Sequence, residues 1–197
     1  MTLRLTSGFI LFGAILFVGC DDGPTGPEND PPARLVVVED LDATGTASYY
    51  TFFDLDDSTT VADSNSTEWD LAFAATSILV NSGASGPGSV RAALHAGLFE
   101  EIDAVPGTAE FKPGGGQDNP AIPTGTGSGW YNYSGEPSHL ITPIPGRVVL
   151  VETSEGNYAK LRILSYYRGN PAEPGSTDSR FYTFEYVLTA DGSTSFE

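Results

Sequence analysis

Two stretches near the C-terminal end leave this chain little choice but antiparallel sheet. In RFYTFEYVLT, residues 180–189, the side chains Tyr182, Phe184, Tyr186 and Leu188 recur at every second position, so all four line one face of a strand. In YAKLRILSYY, residues 158–167, Ala159, Leu161 and Ile163 take one side while Lys160 and Arg162 take the other, which predicts a core face and a water face. Gly146–Thr153 runs into this segment through Glu155-Gly156-Asn157, a turn sequence, and the two form the clearest hairpin in the chain. A proline-rich loop then returns the third run. The three segments predict an antiparallel meander with one greasy side.

The earlier stretches extend the same reading. In Glu68–Gly88, Trp69, Leu71 and Phe73 alternate with Asp70 and Ala72, so the first three are expected on one strand face. Ile78-Leu79-Val80 is a second β-prone run, stopped by Asn81-Ser82-Gly83. Leu35–Val38 reads as a buried strand. ASYYTFFDL, residues 47–55, carries aromatics on both faces and is expected to be covered on both sides. The acids Asp54, Asp56, Asp57 and Asp63 lack the alternate-oxygen spacing and glycine turn of a calcium loop, so a solvated turn is expected. RAALHAGLFEEI, residues 91–102, fits either a short helix broken at Gly97 or a strand pair. Pro106–Gly129 is a long Gly- and Pro-rich loop region. Trp130 and Asn132 then alternate with Tyr131 and Tyr133.

Composition agrees with many short strands: 23 glycines and 14 prolines punctuate a chain that is 11% aromatic. The net charge of −17 should repel nucleic acid and anionic headgroups. One cysteine, Cys20, rules out an intrachain disulfide and a cysteine-based metal cluster. Nothing in the sequence argues for an enzyme. Gly83–Ser89 has glycines at phosphate-loop spacing but no lysine, and its glycines are better read as turn residues. No nucleophile elbow is present.

Met1–Gly19 has a short start containing Arg4 and an apolar run too short for a membrane span. Gly19 followed by the lone Cys20 resembles the lipobox of bacterial lipoproteins. That resemblance implies a signal peptide over 1–19, cleavage before Cys20, and acyl chains on its sulfur. Each buried methylene contributes about 0.8 kcal/mol, so more than one chain would hold the protein on a membrane. Residues 20–33, with no apolar periodicity, read as an acidic Pro/Gly tether. Asp21-Asp22 resembles the acidic export signal of surface lipoproteins in Bacteroidetes-like bacteria. The expected location is the cell envelope, lipid-anchored at the outer membrane, with the leaflet open and the cell surface one option.

Residues 34–197 resemble the HmuY family of haem-binding lipoproteins. The resemblance is carried by YYTFFDLDD at 49–57, WDLAFAATSILVNSGASGPG at 69–88, WYNY at 130–133, ITPIPGRVVLVETSEGNYAKLRILSYY at 141–167 and SRFYTFEYVLTADGS at 179–193. It implies an all-β fold, a single antiparallel β domain whose long hairpins grip haem at one end. It also implies a lipid-anchored carrier that passes haem to a TonB-dependent outer-membrane receptor. Well-studied members use a pair of axial residues, His or Met. Here the one methionine is Met1, which leaves with the signal, so the expected iron ligands are His139 and His95. His139 follows Tyr131 and Tyr133, which could flank a flat ring. Arg91, Arg147, Arg162, Arg168 and Lys112 are the candidate partners for the propionates. The alternative is a non-haem accessory or scaffold lipoprotein of the envelope with the same fold.

Overall fold

Alternation at a period of two builds the spine of the molecule. The computed structural model describes residues 33–46, 49–175 and 178–197. The expected leader, Cys20 and nearly all of the tether lie outside them. The three C-terminal runs form β10 (Arg147–Glu152), β11 (Tyr158–Tyr167) and β12 (Ser179–Leu188). They pair in antiparallel succession, Val149 opposite Leu161 and Leu161 opposite Tyr186. β1 (Arg34–Asp42) adds to β12 at one edge. β6 (Arg91–Ala96) and the short β7 (Lys112–Pro113) add beyond β10. The result is a six-stranded sheet in the order β1-β12-β11-β10-β6-β7. The open choice at 91–102 resolves as strand β6 followed by a single 3-10 turn at Phe99–Glu101.

A second sheet of four strands, β3-β2-β4-β5, comprises β2 (Thr51–Asp54), β3 (Thr59–Val61), β4 (Leu71–Ala74) and β5 (Ser77–Val80). A separate ribbon pairs β8 (Tyr131–Tyr133) with β9 (Ile141–Pro143). The architecture is all-β and antiparallel throughout. The two larger sheets bury one core between them, with Leu161, Tyr182, Phe184 and Tyr186 meeting Phe53, Leu71, Phe73 and Val80. Phe73 stacks on Phe184 with ring centroids 5.5 Å apart. Each such buried side chain contributes about 1.5–3 kcal/mol through removal of apolar area from water.

Polar bonds clasp the sheets at both ends of β4. At the Ala75-Thr76 turn, Tyr182 Oη donates to the Ala75 carbonyl at 2.8 Å and Trp130 Nε1 donates to the Thr76 carbonyl at 3.0 Å. At the other end, Tyr186 Oη donates to the Leu55 carbonyl at 2.8 Å. Asp70 there accepts the Leu55 N–H and the Ser154 N–H, both at 2.9 Å, and so ties the small sheet to the β10–β11 turn.

That bond set explains where the sequence pattern breaks. β4 begins only at Leu71. Asp70 turns inward to its donors, so Trp69 is displaced from the face of Leu71 and Phe73. It packs instead with Ala72, Leu79, Tyr50 and Phe52 on the far side of the small sheet. The expected cover on both sides holds from Tyr50 to Leu55, with Phe53 and Leu55 in the main core and Tyr50 and Phe52 beside Trp69, whereas Tyr49 is exposed. Two loop glycines serve this cluster by close approach. A Cβ on Gly86 would meet Asn81 Oδ1 at 2.2 Å and Trp69 Cζ2 at 2.5 Å, and one on Gly88 would meet the Asn81 carbonyl at 2.7 Å. Gly83 is the turn glycine proper, at φ +56°.

Other expectations are corrected. β1 is an edge strand rather than a buried one, with Leu35 and Val37 more than half exposed. Trp130 and Tyr131 are both buried while Asn132 and Tyr133 face solvent, because the indole must reach back to Thr76 before the ribbon starts. Asp54 is buried, while Asp57 and Asp63 are exposed as expected.

Lys160 is the largest departure on the meander. Its alternation is as read, but its face is not open: Phe99, Ile102 and Phe196 cover it. Lys160 Nζ donates to the carbonyls of Phe99 and Ile102 at 2.9 and 2.8 Å and lies 4.8 Å from the Phe99 ring centroid. Charged hydrogen bonds contribute about 1.5–3 kcal/mol. Lys160→Met should therefore lower unfolding free energy by about that much in urea titration. A neutral result would mean that the covering segment is held without it.

Candidate ligand-binding site

The β8–β9 ribbon stands at the end of the domain where β11 runs on past β10. It is fixed at its base, where the Ile144 N–H donates to the Trp130 carbonyl at 2.9 Å and the Ile141 N–H to Tyr167 Oη at 2.8 Å. Leu140 and Ile141 pack on the main core. Its tip is polar and outward. Ser134 Oγ accepts the Leu140 N–H at 2.8 Å, and the Ser134 N–H donates to the Leu140 carbonyl at 2.9 Å. The tip carries a cis Glu136-Pro137 peptide.

His139 sits in this tip, exposed, at φ +52°, a left-handed conformation in which histidine is enriched among non-glycine residues. Tyr133 Oη is in hydrogen-bond contact with His139 Nδ1. The two rings lie nearly parallel, 26° apart, with centroids at 5.9 Å. The ribbon thus brings two of the expected site residues together and presents both to solvent. Tyr131 is different. It is buried, its hydroxyl accepts the Gly125 N–H at 3.2 Å, and its ring packs 5.0 Å from that of Trp130. Its place is in the support of the ribbon rather than on its open surface.

His95 lies elsewhere. It is on β6 opposite Val148, in an unbroken register. Alternation along β6 places it on the face of Ala93, which packs on the outer covering layer, and not on the face of Ala92 and Leu94, which join the main core. The ribbon packs against that main core. His95 thus points to the sheet face opposite the core on which the base of the ribbon packs. His95 is half-buried and folds back over Gly97, where a Cβ would come within 3.3 Å of Nε2. It borders a cleft of about 290 Å³ with Leu94, Thr108, Glu110, Lys112 and Pro123. That is at the small end of ligand pockets, which run from about 300 to 1,000 Å³.

Of the candidate cations, Arg91 is paired to Glu152 at 2.7 Å and Arg162 to Glu100 and Glu185 at 2.6 and 2.5 Å. Arg168 is at the β11–β12 corner, the same end as the ribbon, with its guanidinium 3.5 Å from the centroid of the Phe181 ring. The groups presented at this end are one imidazole in contact with one phenol, and an arginine stacked on Phe181.

Neither a protein-family model nor a curated protein matches the sequence. Solved structures do. An apo HmuY analog from Tannerella forsythia matches with a TM-score of 0.51 and 13% identity, covering 81% of this chain and 96% of that one. The fold is that of the HmuY analogs. Apo PinO from Porphyromonas gingivitis also matches, at TM-score 0.51 and 12% identity over 80% of this chain and 97% of its own. A Bacteroides vulgatus protein described as HmuY-like, 18% identical, aligns over 79% of this chain and 91% of its own with a TM-score of 0.49. The two matches at a TM-score of 0.51 each cover about four-fifths of this chain.

Proposed function

We propose that this protein is a haem carrier of the cell envelope, tethered through acylated Cys20, that takes haem at the β8–β9 ribbon and passes it to a TonB-dependent outer-membrane receptor. The observation that carries the reading is the exposed Tyr133–His139 pair on a ribbon of an HmuY-like fold. His139 Nε2 is the iron ligand. For that, Nδ1 must hold the ring proton and donate it to Tyr133 Oη, a bond that fixes both tautomer and ring plane. Haem itself supplies the iron; the chain supplies the imidazole, the flanking phenol and the charge of Arg168. His95, which points away from the core that carries the ribbon, takes no part in this reading.

Hemin titration of the protein, followed at the Soret band, tests this. The expected result is a shifted band that His139→Ala abolishes, that Tyr133→Phe weakens by about 10–100-fold, as loss of a ligand's supporting bond does, and that His95→Ala leaves unchanged. An unaltered free-hemin spectrum with the native chain overturns it. The orientation of His95 away from the core that carries the ribbon favours a second reading, a non-haem accessory lipoprotein of the envelope with the same fold. Recovery of a receptor from membranes by a chain that never shifts the Soret band would favour that one.

A further inference from the structure

The clasp at the start of β4 contains more negative charge than its bonds use. Asp54, Asp56 and Asp70 each offer an oxygen, and these oxygens lie within 4.8 Å of one another. That is the spread reached by ligands sitting about 2.3–2.6 Å from a common calcium ion. Asp70 is fully buried and Asp54 nearly so. Four of the six carboxylate oxygens are satisfied on one side by neutral donors. Asp54 Oδ1 accepts the N–H groups of Asp56 and Asp57 at 2.9 and 3.1 Å. Asp56 Oδ1 accepts Asn157 Nδ2 at 2.7 Å. Asp70 Oδ1 accepts the N–H and the hydroxyl of Ser154, and Oδ2 the N–H of Leu55.

Asp56 Oδ2 is shut off from solvent and has no hydrogen-bond partner among the described residues. A buried carboxylate oxygen left bare beside two other buried carboxylates is costly unless a positive species meets it. Arg34 is close but does not serve: its guanidinium donates to the main-chain carbonyl of Asp56 and to Ser58 Oγ. The cluster also has a way in. Asp54 lines an open cleft of about 680 Å³ together with Asp57, Glu68, Ser154 and Glu155. That cleft would admit an ion and leave room for its remaining water ligands. Burial, opposed by the Ser154 and Leu55 N–H bonds and reinforced by Asp56 and Asp54, pushes the Asp70 carboxyl up to about 7.

We propose that Asp54, Asp56 and Asp70 form a calcium site that locks the small sheet to the β10–β11 turn. The ligands are all oxygens, which selects a hard cation over zinc, and their irregular arrangement suits calcium's tolerant coordination better than magnesium's strict octahedron. The site is independent of the haem reading, being built on other elements.

The test is calorimetric titration of calcium into chelator-stripped protein at pH 7.5, with thermal unfolding followed in parallel and magnesium as a second arm. One calcium per chain is expected. At a hundred times the measured Kd, Tm should rise by about 5–10 °C. Asp56→Asn keeps an acceptor for Asn157 and is expected to stay folded by circular dichroism while weakening calcium at least tenfold. No heat and no Tm shift with the native chain would overturn the proposal, leaving a shared proton as the occupant. Calcium binding that Asp56→Asn leaves unchanged would overturn it too, as diffuse attraction to an acidic surface. Equal or tighter binding of magnesium would overturn the calcium assignment.

Discussion

Trp130→Ala should lower the unfolding free energy by about 3–5 kcal/mol, the range for truncating a large buried aromatic. At about 2–4 °C per kcal/mol for a domain of this size, Tm falls by roughly 6–20 °C. The indole is 2% exposed and lies against the rings of Tyr131, Tyr166 and Tyr182, at 5.0, 5.8 and 5.2 Å between centroids. Its removal opens a cavity among three rigid rings that cannot collapse into it. It also strips the Thr76 carbonyl of its donor. Trp130→Phe keeps most of the apolar contact and loses only that bond, so a deficit of about 1–2 kcal/mol is expected. Because the Trp130 carbonyl also receives the Ile144 N–H, the alanine variant should loosen the base of the ribbon and weaken hemin binding while His139 remains in place. Guanidinium unfolding of the two variants side by side decides it; an alanine deficit under about 1 kcal/mol would place Trp130 outside the structural core.

Asn81 is the second position of large effect. It is fully buried, and its amide does three things: Nδ2 donates to the carbonyls of Ser66 and Trp69 at 3.0 and 2.7 Å, and Oδ1 accepts the Gly88 N–H at 2.9 Å. Its main chain also pairs with Asp70 and Val90. The side chain thus ties the loop ahead of β4 to the glycine loop after β5. Asn81→Ala leaves three partners without bonds, at about 1 kcal/mol or more each, for a loss of about 3–4 kcal/mol. Asn81→Asp should be worse, although it is the closer match in shape. A carboxylate would face two carbonyl oxygens that need a donor, in a site closed to water. The ranking Asn81→Asp below Asn81→Ala below the native chain, measured as Tm at neutral pH, is the expected outcome. An aspartate variant as stable as the native chain would show that the amide is not held as described.

Neither position announced its weight in the linear order of residues. Asn81 read as the end of a strand, and its partners at 66, 69 and 88 are scattered through loops. The acidic clasp was hidden in the same way: Asp54 and Asp56 looked like a solvated turn because their third member, Asp70, comes from the entry to another strand. Lys160 read as a water-facing cation because a strand's alternation tells which side a residue takes, not what later covers that side. Of the site, Tyr133 and His139 were legible as a pair because they belong to one hairpin. His95 was not separable from them, since its distance from the ribbon depends on the order of strands in the sheet.

What the sequence determined by itself is local: strand periods, the β10–β11–β12 meander, the glycine turns and the all-β class, because each follows from backbone geometry and side-chain alternation over a few residues. What only the tertiary structure decided is which faces are closed. The covering of Lys160, the inward turn of Asp70 that sends Trp69 to the far side of its sheet, and the packing of the ribbon on the core face that His95 points away from all depend on contacts between segments far apart in the chain. Burial is a property of those contacts, and it is burial that turns an aspartate, a lysine or an asparagine from a surface residue into a structural or binding one.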